Sequence, residues 1–293
     1  MGNKQSRRSF LQKSLVAGAG LSLIDPMALQ AMMGKSGMKL GLVTYQWGKD
    51  WDLPTLIKNC EKSGFLGVEL RTQHAHGVET SLSASERAEV KKRFADSPVT
   101  CVGYGSNFEY HRPDPANVKK NIQGTKEYLK LCKDIGATGI KVKPNGIPED
   151  VPKEKTITQI ATSLNEVGKY ASDLGQVIRV EVHGRVSQEL PNMKAIFDQV
   201  TEKSVKVCWN CNDQDLNPPG LEANFNSVKK WFGDTVHIRE LNVGEYPYQK
   251  LMDLFVKIKY EGWILLEART SPEDRIAAMK EQLAVFNKMI GKG

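Results

Sequence analysis

At 293 residues, with 40% apolar and 26% charged side chains, the chain has ordinary soluble-globular composition and room for one large or two small domains. That composition excludes a disordered chain, collagen-like repetition and a bundle of membrane spans. Its 41 Lys and Arg against 34 Asp and Glu give a net charge of +7, but residues 1–31 hold Lys4, Arg7, Arg8 and Lys13 against Asp25 alone. The excess left for the rest of the chain is too small to argue for a nucleic-acid partner.

The N-terminus reads as an address before it reads as structure. Ser6–Lys13 is S-R-R-S-F-L-Q-K, an apolar run follows from Leu15 to Ile24, and small residues lead to Ala31. This resembles a twin-arginine export signal. The run is short of the ~20 residues needed to span a bilayer, and no Cys follows it to carry a lipid. Residues 1–31 are therefore expected to be a removable signal peptide, with a periplasmic mature chain and no stable membrane anchor after its removal. Twin-arginine export carries folded proteins, so this route is compatible with a metal already seated.

Five cysteines, Cys60, Cys101, Cys132, Cys208 and Cys211, are an odd and irregularly spaced set, not a disulfide framework. Cys208 and Cys211 form a C-x-x-C at a strand end, where no second Cys or His cluster with matching spacing completes a zinc site. They read as two small strand-end residues.

From Met38 onward, short β-type runs alternate eight times with longer helical patterns. Strands are expected at Leu40–Tyr45, Gly67–Arg71, Val99–Tyr104, Gly139–Lys143, Val177–His183, Val205–Asn210, Val236–Leu241 and Trp263–Arg269. Between and after them, helices are expected at Pro54–Lys62, Ser85–Ala95, Ala116–Asp134, Ile157–Asp173, Met193–Val200, Leu221–Trp231, Tyr248–Ile258 and Pro272–Met289. Such alternation predicts a parallel sheet, and eight units over residues 38–293 are the size of a single α/β domain, a (β/α)8 TIM barrel. Helix-to-strand turns are short and carry Gly64, Gly136, Gly175, Gly233 and Gly262, each expected as a left-handed helix cap. The opposite connections, Thr72–Ala84, Ser106–Pro115 and Cys211–Gly220, are longer, and a barrel builds its active site on that side. No G-x-G-x-x-G follows the first strand, which argues against a dinucleotide fold.

Strand residues alternate faces, and helices cover the outside of a parallel barrel, so the outward set should be apolar. It is: Val68 and Leu70, Ile140 and Val142, Val180 and Val182, Val207 and Trp209, Val236 and Ile238, Ile264 and Leu266. Parity then turns inward Glu69 and Arg71, Lys141 and Lys143, Glu181 and His183, Asn210 and Asn212, His237 and Arg239, Glu267 and Arg269. Unpaired charge in one mouth is costly, so this ring implies mutual pairing, a metal or a polar ligand. Trp47, Tyr104 and Phe108 are aromatic candidates for stacking on a ring, whereas large aromatics are more often core.

The last four strands read R-V-E-V-H-G, V-C-W-N-C-N, V-H-I-R-E and I-L-L-E-A-R. Here the sequence resembles the xylose-isomerase-like barrel family of sugar isomerases and epimerases, a superfamily that also holds the type 2 apurinic endonucleases. The resemblance implies one divalent cation held by an acid from the fifth strand, an acid from the sixth, a His from the seventh and an acid from the eighth. Matched motif by motif, these are Glu181, Asn210, His237 and Glu267. Asn210 stands where the family usually has Asp, and Asp213 stands where a His often follows it. An amide oxygen still suits a hard cation, and Asn212 or Asp213 are alternatives at this position. The donor set suits Mn, Zn, Mg or Co and does not choose among them.

The resemblance further implies that Glu181 and Glu267 act as an acid/base pair beside a polarised carbonyl, epimerising or isomerising a small-molecule carbohydrate through an enediolate. His183, Arg239, Arg269, Lys141 and Lys143 are then expected to hold hydroxyls or the developing oxyanion, with Glu69, His74 and His76 as further substrate-binding candidates. Export favours a free sugar, a glycoside or an oxidised keto-sugar over a phosphorylated one. A keto-glycoside lyase or hydrolase working by β-elimination on the same site is one alternative, and a non-catalytic periplasmic sugar-binding barrel is another. Five His fall short of the ligands a three-metal endonuclease needs, so no nucleic-acid substrate is expected; assembly into a homo-oligomer is left open.

Overall fold

The structure, a computed structural model, describes residues 36–292. The expected signal peptide at residues 1–31 lies outside the described residues. Ten strands alternate with eight helices: β1 Lys39–Val43, α1 Leu53–Ser63, β2 Gly67–Arg71, α2 Ala84–Ala95, β3 Thr100–Glu109, α3 Pro115–Ile135, β4 Gly139–Lys143, β5 Asn145–Gly146, α4 Lys153–Leu174, β6 Val177–Glu181, β7 Gly184–Arg185, α5 Leu190–Phe197, β8 Val205–Asn210, α6 Leu221–Val228, β9 Phe232–Ile238, α7 Tyr248–Lys257, β10 Trp263–Leu266 and α8 Arg275–Met289. Eight parallel strands close in the order β1-β2-β3-β4-β6-β8-β9-β10, with β10 pairing back onto β1 from Trp263 against Lys39 to Leu266 against Leu42. This is the expected (β/α)8 barrel. Among the described residues no helix is long and apolar enough to cross a membrane.

Local chemistry fixes the helix ends. Asp52 accepts the Thr55 N–H at 2.9 Å ahead of Pro54 in α1, Ser83 and Glu86 form a reciprocal capping box on α2, and Asp274 accepts from Ile276 and Ala277 on α8. That last cap starts α8 at Arg275, three residues after the expected Pro272. Of the five glycines expected as left-handed caps, Gly64, Gly136 and Gly175 are, at φ of 80°, 82° and 68°. Gly233 and Gly262 are not. After α6 the chain tightens into a 3-10 turn at Lys229–Trp231, and Gly233 already lies in β9; after α7, Lys259 takes the left-handed residue instead. A Cβ at Gly262 would collide with Tyr260, so that glycine is there for close approach.

Strand parity divides the interior in two. Val68, Leu70, Ile140, Val142, Val180, Val207, Trp209, Val236, Ile238, Ile264 and Leu266 belong to the large core between sheet and helices. Trp209 packs outward there, its ring 5.7 Å from Phe225 and 6.1 Å from Phe232. A separate small cluster of Val43, Val102 and Leu265 plugs the barrel itself. Also inside, the fully buried Arg179 grips Asp234 with two bonds of 2.8 Å and reaches Thr138 Oγ1 and the Val102 carbonyl. The remaining inward side chains are the polar ones.

Two irregularities shape the mouth. Strand β3 runs on to Glu109, beyond the expected end at Tyr104, because its polar extension pairs Glu109 with Lys143 of β4. Just past β4 and β6, the two-residue strands β5 and β7 pair and fasten those two loops together, with Asn145 at φ 63° and Val186 at φ 65°. Such left-handed non-glycine residues store strain that gathers at functional sites.

Candidate metal centre and active site

The ends of β6, β9 and β10 bring one ligand atom each from Glu181, His237 and Glu267 to within 4.8 Å of one another. His237 Nδ1 lies 3.6 Å from Glu181 Oε1 and 4.0 Å from Glu267 Oε2. Glu181 and His237 are buried, while the Glu267 side chain keeps 15% of its surface open to the mouth. Both ring nitrogens of His237 are buried without a formed hydrogen bond, and Nδ1, on the side of Glu181 and Glu267, is the one whose cost a bound cation would relieve. Two carboxylates and one imidazole suit a hard-to-borderline divalent ion, so the residues present fit the group that the sequence resemblance implies.

Asn210, at the end of β8, donates its amide to Glu181 Oε1 at 3.1 Å and so stands beside the three, with its Oδ1 as the atom it offers to a cation. The alternatives are committed elsewhere. Asn212 donates to the carbonyls of Val182 and Asn210 and, through its backbone, to Asp215; Asp213 is exposed on a 3-10 turn.

Around this centre each acid has a cationic partner. Lys141 Nζ, fully buried, lies 2.6 Å from Glu181 Oε2. Burial alone would raise the Glu181 carboxyl, but Lys141 and His237 outweigh it and hold it well below the usual carboxylate range. Arg71 binds Glu267 Oε1 at 2.9 Å and Asn107 Oδ1 at 3.1 Å, with its guanidinium over the Tyr45 ring. Glu69, at zero exposure, sits 3.2 Å from His237 Nε2, in room left by Gly105, whose Cβ would stand 2.5 Å from the Glu69 carboxylate. Burial would lower the His237 imidazole, but its acidic neighbours Cys208, Glu69 and Glu181 hold it well above the usual value.

The structure divides the expected substrate-binding residues. Lys143 has no ion-pair partner among the described residues, and burial, helped by the charge of Lys141, pushes its ammonium down to about 8. His183 bonds Asn145 Oδ1 at 2.8 Å through Nδ1, and because that oxygen only accepts, Nδ1 carries the proton and Nε2 is the open acceptor. His74 touches Thr44 Oγ1 at the rim, with burial pushing its imidazole down to about 4. Arg269 is exposed, its backbone N–H on Glu240.

Three expectations for substrate contact need correction. Glu69 is sealed behind His237 and cannot reach a ligand in the mouth. Lys141 is likewise enclosed, against Glu181. In His76, Nδ1 accepts the Val78 N–H at 3.0 Å and Nε2 donates to the Arg71 carbonyl at 2.8 Å, so both nitrogens hold its own loop. Arg239, half-buried at the end of β9, exerts its charge on Asp215, Cys211 and Tyr248. Tyr104 is also buried, its hydroxyl on Val78 and Glu79, and so offers no stacking face.

Arg71 and Asn145 are parts of the site that no expected role covered. Parity had already turned Arg71 inward, whereas Asn145 shows itself only through its strained backbone.

A closed eight-stranded α/β barrel with an acid–imidazole–acid cluster at the C-terminal ends of its strands defines a broad class of enzyme scaffolds. Within that class, the xylose isomerase-like TIM barrel family model matches residues 57–289, and the chain belongs to that family. No curated protein sequence matches it. Among solved structures, L-ribulose 3-epimerase superposes with a TM-score of 0.74 at 14% identity, covering 87% of this chain and 95% of that one. 3-Keto-D-glucoside 4-epimerase from E. coli gives 0.71 at 15% identity, over 86% and 99%. D-psicose 3-epimerase from Clostridium cellulolyticum H10, solved with D-tagatose, gives 0.71 at 16%, over 86% and 99%. At such identities the likeness is one of fold.

Proposed function

We propose that this chain is a divalent-metal-dependent sugar epimerase or isomerase that moves a proton beside a carbonyl of a free or keto-oxidised sugar or glycoside. The observation that carries the reading is the convergence of Glu181, His237 Nδ1 and Glu267, with the unpaired Lys143 and the open His183 Nε2 nearby. The solved neighbours, sugar epimerases by name, support the class of substrate. The Arg7-Arg8 leader supports a periplasmic location and hence a sugar without phosphate.

Glu181, His237 and Glu267, with Asn210 beside them, are the residues that would hold the ion, be it Mn, Zn, Mg or Co. When bound, the ion polarises the carbonyl and acidifies the neighbouring C–H. The chain's own residues divide the remaining work. Glu267 is the partly open acid and takes the carbon-bound proton in this reading, with Arg71 holding its Oε1. Lys143 holds the oxygen on which charge develops, and His183, through its acceptor Nε2, takes the hydrogen bond of a substrate hydroxyl. An epimerisation needs a proton delivered to the opposite face, the role the resemblance gives to Glu181, which must first take that proton up against the charge of Lys141.

One observation favours a second reading. Both Glu181 oxygens already face donors, Lys141 and the Asn210 amide, which makes Glu181 a poor second base. Single-base chemistry on Glu267 suits a keto-glycoside lyase, in which the deprotonated ketone expels its β-oxygen substituent.

The test is to incubate the chain with Mn²⁺ in D₂O and methyl 3-keto-β-D-glucopyranoside, D-psicose or L-ribulose. Deuterium in an epimer supports the epimerase, released methanol supports the lyase, and Glu267→Gln should abolish either. Saturable sugar binding by the wild type, with no exchange or release and no effect of Glu267→Gln, would leave the sugar-binding barrel.

A further inference from the structure

The ion pair between Lys141 and Glu181 links two almost fully enclosed charges: 0% and 1% of their side-chain surfaces are accessible, and Nζ is 2.6 Å from Oε2. Lys141 is put there by sequence. It alternates inward on β4 between the outward Ile140 and Val142, and β4 lies directly beside β6, with Val142 opposite Val180. On the other oxygen of Glu181, the Asn210 amide donates at 3.1 Å. Glu267 has Arg71, and Glu69 has His237. Every buried carboxylate of this centre therefore has its counter-charge from the chain itself, before any ion arrives.

That arrangement has a thermodynamic consequence. A buried carboxylate without a partner destabilises a fold strongly, and a site left in that state is filled by metal as a condition of folding. Here Lys141 relieves the condition. A divalent cation that approaches Glu181 must also approach the Lys141 ammonium, or displace it within its buried surroundings.

Building on the metal-dependent reading above, we propose that Lys141 is the resident counter-ion of Glu181 and competes with the divalent cation for it. The barrel then folds without metal and loads it reversibly. Lys141 acts on the ion through Glu181 and touches no substrate, so it is a positioning residue, and its effect is read in metal affinity.

The experiment compares wild type with Lys141→Met, Lys141→Gln and Lys141→Arg. Co²⁺ affinity is followed by the visible d–d absorption, Mn²⁺ affinity by the EPR signal of the free ion, and melting temperature is recorded with and without metal. Both neutral variants remove the repulsion on the ion and leave Glu181 with only His237 and the Asn210 amide in the metal-free fold, so both effects tighten binding. Lys141→Gln keeps a donor on Glu181 should the Met variant fail to fold. The expected result is at least tenfold tighter Co²⁺ and Mn²⁺ binding in the neutral variants, a lower metal-free melting temperature with a larger rise on adding metal, and near wild-type affinity in Lys141→Arg. Unchanged or weaker binding in the neutral variants, with the wild type still binding, would overturn this proposal alone. No binding by any of the four chains would overturn it together with the metal-dependent reading.

Discussion

Removing the charge of Glu69 probes the support behind the centre. Glu69 and His237 are both at zero exposure and 3.2 Å apart, so no solvent screens the contact. A hydrogen bond to a charged partner contributes about 1.5–3 kcal/mol and a neutral one about 0.5–1.5 kcal/mol. Glu69→Gln keeps an oxygen beside Nε2, where the present contact is an ion pair rather than a formed hydrogen bond, and loses the difference in charge, about 1.3 kcal/mol, or roughly tenfold in metal affinity. The sign depends on pH. The imidazole of His237 is held above its usual value, so the imidazolium stabilises the metal-free fold fully at low pH, and that stabilisation is lost as pH rises through the raised value. The same proton blocks Nδ1, so wild-type metal affinity climbs as pH rises. Glu69→Gln weakens the hold on that proton, which moves the climb to lower pH while lowering the alkaline plateau about tenfold. Isothermal titration with Mn²⁺ or Co²⁺ from pH 6 to 9 reads both. A variant within twofold of wild type at every pH would refute Glu69 as the group that orients His237.

Three further outcomes follow from the same geometry. Asp215, buried with Oδ1 unpartnered and Oδ2 on Tyr246 and Asn212, has its carboxyl pushed up to about 7, chiefly by burial. Its folded pKa is thus above the unfolded one, so the wild type should lose roughly 4 kcal/mol as pH rises from about 4 through 7. Urea denaturation should show Asp215→Asn without that loss, and identical pH slopes would contradict the assignment. Arg179→Met should lower stability by about 1–3 kcal/mol in the same assay, because it removes the hydrogen bonds of a fully buried guanidinium while Asp234, with 44% of its side chain exposed, stays hydrated; an unchanged stability would show the pair to be dispensable. Lys143→Met should cut the rate of solvent-deuterium exchange by roughly 10²-fold or more while leaving Co²⁺ affinity within threefold, since Lys143 stands outside the ligand set. Lost metal affinity would move Lys143 into that set.

Much of this was legible in the sequence, for identifiable reasons. Outward parity was marked by β-branched and leucine side chains strongly enough to place Glu181, His237 and Glu267 on the inner face of strands that end together. Parity gives the face of a residue and says little of its depth. Glu69 and Lys141 share that face yet are sealed, because Gly105 opens room beside one and β6 lies against the other. His76 looked free because its partners, the Val78 N–H and the Arg71 carbonyl, are backbone groups that a sequence does not display. The strained turn at Asn145 was hidden because it arises from pairing two loops far apart in the chain.

The most direct test of the account is equilibrium binding of Mn²⁺ or Co²⁺ to the purified chain lacking residues 1–31, beside a Glu181→Ala/His237→Ala variant. The account predicts one saturable site per wild-type chain and none in the variant. Equal binding by both, or none by the wild type at millimolar metal, would contradict it.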